Sequence, residues 1–199
     1  MGRRRAGPQL LTRAPTRPHP QTRTVGPVTL RIAVLSAEGR TAKSTVAVGL
    51  LDALTRDPSG TRVGVFRPVA RSLQEPDPVL DALAAHGAAA SGVGVDDEQV
   101  HADPEVAVRR IVAQAAKLDE SCDAVLVLGS DYTGVGAPTE LLMNGRISAD
   151  LGAAVVLVLN GLRPGGSGFR TTVELADAAR VAVAELRNDH AGPAAIVVN

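Results

Sequence analysis

The run Ala37-Glu38-Gly39-Arg40-Thr41-Ala42-Lys43-Ser44-Thr45 is where this chain could do chemistry. Its spacing is that of a phosphate-binding loop, G-x-x-x-x-G-K-[ST], with Ala37 and Ala42 at the two glycine positions and Lys43 and Ser44 retained. In such a loop the glycines let successive backbone N–H groups turn toward a phosphate. The following helix adds the positive end of its dipole, the lysine reaches the outer phosphates and the hydroxyl ligates magnesium. The lysine is informative because, of 21 basic residues, only Lys43 and Lys117 are lysines. Alanine at position 42 adds a methyl where the backbone should approach the anion, and holding it in a left-handed conformation costs about 1–2 kcal/mol. The loop points to a nucleotide-binding ancestry, and its two alanines predict weak or absent nucleotide binding. The alternative reading is a plain strand-to-helix turn.

The elements around the loop read as alternating strands and helices. Thr29–Ser36 is a first strand and Lys43–Thr55 a helix with Val46, Leu50, Leu51 and Leu54 on one face. Arg62–Val69 is a second strand and Asp77–His86 a short helix, while Ala88–Val95 reads as a loop of small residues. Asp103-Pro104-Glu105 is a helix start, an N-cap acid followed by proline at the first helical position, and that helix runs to about Leu118. Ala124–Leu128 is a third strand, Thr139–Leu151 a helix, Ala153–Asn160 a fourth strand, Thr171–Arg187 a helix and Ala194–Asn199 a fifth strand. This pattern predicts an α/β domain, a parallel sheet with helices on both faces, of undetermined strand order. Ligands of such sheets sit at the carboxyl ends of the strands. The Ala37–Ser44 loop, Arg67-Pro68 and Ser130–Gly136 gather there. The final strand reads as buried, so the domain is expected to be truncated.

Composition narrows the field. The 45% apolar content of the 199 residues supplies a core, and with 2% aromatics it must be built from Val, Leu, Ala and Ile. Residues 1–28 read as a disordered Arg/Pro-rich extension and 29–199 as the folded domain. The stretch up to Ala37 holds Arg3, Arg4, Arg5, Arg13, Arg17, Arg23 and Arg31 and no acid. The whole chain balances 21 basic against 21 acidic residues, so the remainder is acidic, which argues against nucleic acid as a partner. No apolar run reaches the roughly 20 residues of a membrane span. Cys122 is the one cysteine; it excludes an intrachain disulfide and reads as a small core residue, with the cytoplasm as the expected location. His101 and His190 read as solvated loop histidines, and Asp96-Asp97-Glu98 as a solvated acid run. No nucleophile–base–acid set is found, so no catalytic residue is assigned, and no metal site is assigned.

Taken together, A-E-G-R-T-A-K-S-T-V-A-V-G-L-L, V-G-V-F-R-P-V, C-D-A-V-L-V-L-G-S-D-Y-T, P-T-E-L-L-M-N-G-R-I-S-A-D-L-G-A and A-A-I-V-V-N resemble the N-terminal region of long-form phosphate acetyltransferase, actinobacterial type. That region is similar to dethiobiotin synthetase, a P-loop ATP-dependent carboxylase. The resemblance implies a P-loop-like fold and a regulatory or assembly role. The family reaction, acetyl-CoA plus phosphate to acetyl phosphate plus CoA, would belong to a C-terminal catalytic domain or subunit outside this chain. A homo-oligomer and no membrane partner are expected. The resemblance implies a degenerate nucleotide or anion site of Gly39, Thr41, Ala42, Lys43, Ser44, Thr45, Arg67 and Asp131. Arg67 stands where the synthetases carry a lysine before proline, and Asp131 where a P-loop protein usually places a magnesium-binding acid. Ser44 and Asp131 would hold metal only with bound Mg-nucleotide. ATP with magnesium or another anionic effector is the candidate ligand. A stand-alone ATP-dependent ligase is the alternative function, and a helix cap the alternative role of Asp131.

Overall fold

Short apolar runs become strands buried on both faces, and the chain between them returns as helices. The computed structural model describes residues 29–39, 41–130, 140–163 and 168–199. Six strands, β1 (Leu30–Leu35), β2 (Val63–Ala70), β3 (Ala90–Asp96), β4 (Ala124–Leu128), β5 (Ala154–Leu159) and β6 (Pro193–Val198), form one sheet in the order β3-β2-β4-β1-β5-β6. All pairings are parallel. The helices are α1 (Lys43–Thr55), α2 (Pro78–Ala85), α3 (Asp97–Ala102), α4 (Pro104–Asp119), α5 (Glu140–Asp150) and α6 (Thr172–Asn188). This is an α/β fold of the P-loop NTPase kind.

Alternate strand residues serve opposite faces. Val34, Val65 and Leu126 pack with Ala47 and Leu51 of α1 and Leu80 and Leu83 of α2. Leu35, Phe66, Val127 and Leu157 pack with Ile111 of α4, Ile147 of α5 and Leu186 of α6. β1 lies between β4 and β5, so the loop after it opens at the centre of the sheet's carboxyl edge. That position, not the loop alone, makes a site.

Four expectations need correction. The small-residue stretch 88–95 is not a loop: it pairs with β2 as the edge strand β3. Its glycines belong to the packing, for a side chain at Gly92 would meet Leu118 and Phe66 at 3.4 Å. The acid run Asp96-Asp97-Glu98 is not merely solvated. Asp96 caps α3, accepting from the Gln99 N–H while the Gln99 side chain accepts in return, and His101 lies in that helix rather than in a loop. Finally, the last strand is β6, a sheet edge with Ile196 at 45% and Val198 at 49% exposure, not a buried strand. Asp103 caps α4 as expected, and Cys122 is buried at the start of β4. The Arg/Pro-rich stretch 1–28 lies outside the described residues.

Candidate functional site

The loop between β1 and α1 keeps the backbone shape that its glycine positions predict. Ala42 sits at φ 56°, ψ 38°, in the left-handed region, and forms the N-cap of α1. Its carbonyl accepts from the Thr45 and Val46 amides at 2.9 and 3.2 Å. Among the described residues α1 has no side-chain cap and no acid in its first turn, so its positive end faces the loop. The other helices with described caps start on Asp77, Asp96, Asp103 and Thr171, each bonded to a backbone amide. Thr41 is 2% exposed, and among the described residues its Oγ1 has no hydrogen-bond partner. A buried hydroxyl left in this state costs about 1–3 kcal/mol, a cost that an acceptor or donor brought by a ligand would remove.

Lys43 is buried at 7% exposure and donates from Nζ to the Ser130 carbonyl at 3.0 Å. Arg67, within β2, donates from Nη1 to the carbonyl of Gly129 at 3.0 Å and from Nε to Asp77 at 2.8 Å. Both cations thus rest on consecutive carbonyls just beyond β4. Asp77 also caps α2, accepting from the Val79 and Leu80 amides. Burial pushes its carboxyl pKa up. The Arg67 hydrogen bond and charge, with the two amides, outweigh that and hold it below the usual aspartate value. Ser44, Arg67 and Ser130 line a half-open cleft of about 610 Å³, with Arg71, Glu75, Asp77 and Asp97 on its walls.

The loop's other side is tied down by Glu38. Its carboxylate accepts from Arg170 at 2.7 Å and from the Asn160 amide at 3.3 Å, linking the loop to the chain after β5. Among the described residues no group of three His, Cys, Asp or Glu is placed to hold a metal ion.

Residues 31–199 match the AAA domain family AAA_26. The chain belongs to this family. It is also 27% identical, over 143 residues, to a phosphate acetyltransferase of Nitratidesulfovibrio vulgaris (strain Hildenborough). The match covers 64% of this chain and 20% of that protein, so the chain spans about a fifth of the relative's length. Two solved structures share the fold. The kinase domain of the Escherichia coli tyrosine kinase ETK aligns with a TM-score of 0.54 at 15% identity, covering 86% of this chain and 67% of the other. The signal recognition particle 54 kDa protein of Aeropyrum pernix K1, in complex with GDP, aligns with 0.51 at 17%, covering 86% and 42%.

In this AAA domain the expected site residues divide. Thr41, Ala42, Lys43 and Ser44 lie together at the loop and first turn, and Arg67 joins them through the β4 end. Gly39, Ser44 and Thr45 are exposed, while Thr41 and Lys43 are buried. Asp131 lies outside the described residues. Sequence reading missed Asp77, Asn144, Glu38 and Arg170. Asp77 carried a signal, since Asp before Pro is a helix start; Asn144 and the Glu38–Arg170 pair carried none.

The left-handed Ala42 makes a direct prediction. Ala42→Gly removes a methyl from a conformation that alanine resists, so the domain should gain about 1 kcal/mol despite glycine's freer unfolded chain. Urea unfolding followed by circular dichroism measures it. A loss of stability would show that the loop does not hold this φ in solution.

Proposed function

We propose that this chain is a regulatory and assembly region of a phosphate acetyltransferase, and that its phosphate loop holds an anionic effector rather than a reacting substrate. The observation that carries the reading is the loop itself. It keeps the left-handed turn, the uncapped helix and the buried lysine of a phosphate cradle. The likeness to a fifth of a phosphate acetyltransferase supports the parent enzyme. Acetyl transfer then belongs to the rest of that enzyme, joined to this region as a domain or partner subunit. A cytoplasmic homo-oligomer is the expected setting. No helix among the described residues is long and apolar enough to cross a membrane.

A second reading is an ATP-dependent ligase, favoured by the cleft of about 610 Å³ beside Ser44. The two separate by titration. Calorimetry with inorganic phosphate should give magnesium-independent binding that Lys43→Ala weakens by roughly tenfold, the worth of one charge-assisted hydrogen bond. The chain should not form acetyl phosphate from acetyl-CoA and phosphate. Tight, magnesium-dependent ATP binding would favour the ligase, and acetyl transfer above background would overturn the regulatory reading.

A further inference from the structure

We propose that Asn144 is the positioning residue of the phosphate loop: it fixes the Ser130 carbonyl on which Lys43 rests, and so governs how far the lysine is available to an anion. This rests on the anion-site reading above and adds to it a regulating contact from α5.

Asn144 lies within α5 and is 2% exposed. A buried carboxamide is costly unless its groups are bonded. Among the described residues its bonds go to Ser130. Its Oδ1 accepts from the Ser130 amide at 3.1 Å and from the Ser130 hydroxyl at 3.2 Å, and its Nδ2 points to the Ser130 carbonyl at 3.5 Å. That carbonyl takes the Lys43 ammonium at 3.0 Å. The residue before it, Gly129, leaves no slack: a Cβ there would lie 2.8 Å from Leu35 Cδ2 and 3.4 Å from Asn144 Cγ. The β4 end is therefore pinned by α5 from one side while it holds Lys43 and Arg67 on the other. An anion on the loop shares or competes for Lys43 with this fixed acceptor, since the ammonium has three donors. Whatever shifts α5 changes that competition.

The chain has two lysines, which makes the test simple. Lys117 is exposed in the last turn of α4 and serves as internal reference. The full chain is acylated with a limiting amine reagent, and labelling of Lys43 relative to Lys117 is read by mass spectrometry. Asn144→Ala should raise the ratio roughly fivefold, part of the protection given by a charge-assisted bond. Ser148→Ala should leave the ratio unchanged, since Ser148 Oγ donates only to the Asn144 carbonyl (2.7 Å) and not to Ser130. Should Asn144→Ala not fold by circular dichroism, Asn144→Thr is read the same way. An unchanged ratio in the folded Asn144 variant, or an equal rise in Ser148→Ala, overturns the proposal. Inorganic phosphate should bring the raised ratio back down. A raised ratio that phosphate does not lower upholds the positioning role and counts against the anion-site reading instead.

Discussion

Gly94→Ala should cost this domain about 3 kcal/mol, the upper end for an overpacked core position. At this chain length that lowers the melting temperature by roughly 10 °C. The reason is a backbone approach. A Cβ at Gly94 would fall inside contact distance of the Pro68 carbonyl oxygen and 3.0 Å from Ile111 Cγ1. The carbonyl belongs to β2 and cannot turn aside without breaking the β2–β3 ladder, in which Val69 pairs with Val95. Ile111, on the inner face of α4, is fully buried and has no open space to enter. At Gly60, by contrast, a Cβ would have nothing within 4 Å but the backbone φ is 70°, so Gly60→Ala should cost only the left-handed penalty of about 1 kcal/mol. Thermal unfolding of the two variants side by side decides the matter. Equal, small losses would mean that β3 is not held against Pro68 as described.

The same glycine explains what sequence reading recovers and what it does not. α1 begins and ends where its apolar spacing and phosphate-loop register place it, at Lys43 and Thr55, and β4 is the five-residue run Ala124–Leu128. Those elements announce themselves because their residues serve one face or both faces without interruption. β3 does not. Its sequence ASGVGVD lacks bulk because β2 and α4 press against it, and small residues chosen for close approach look like a loop. The loop's chemistry was legible down to Lys43 and to the left-handed strain at Ala42, since both follow from motif spacing. The partners of that chemistry were not. Asn144 is an ordinary polar residue in a helix until the sheet order brings α5 beneath the end of β4. Glu38 and Arg170 are 132 residues apart, and only the parallel β1–β5 pairing brings them within 2.7 Å.

Asp77→Ala should cost about 3 kcal/mol, and Asp77→Asn about half of that. The alanine loses two things at once. One is the N-cap of α2, worth about 1 kcal/mol. The other is the carboxylate that faces Arg67, whose side chain is 12% exposed and would be left largely buried with one of its two bonds gone; an unmade charged bond of that kind costs roughly 2 kcal/mol. Asparagine caps a helix as well as aspartate does, so Asp77→Asn retains the first contribution and loses most of the second. The acid limb separates them further. The pKa of Asp77 is held below its usual value in the folded chain, so its stabilisation is complete above the unfolded-state value near 3.9 and is lost as pH falls through the lower folded value. Glu174, held at about 2 by the Arg163 fork and the Thr171 cap, and Glu105, lowered by Arg146, contribute to the same limb. They remain in both proteins, so the difference between parent and Asp77→Asn isolates Asp77. Urea unfolding at a series of pH values should show the gap between the two constant from neutrality to about pH 4 and closing below it. A gap that stays open at the acid end would mean that Asp77 is not ionised against Arg67, and the tie between β2, α2 and the β4 carbonyls would have to be drawn differently.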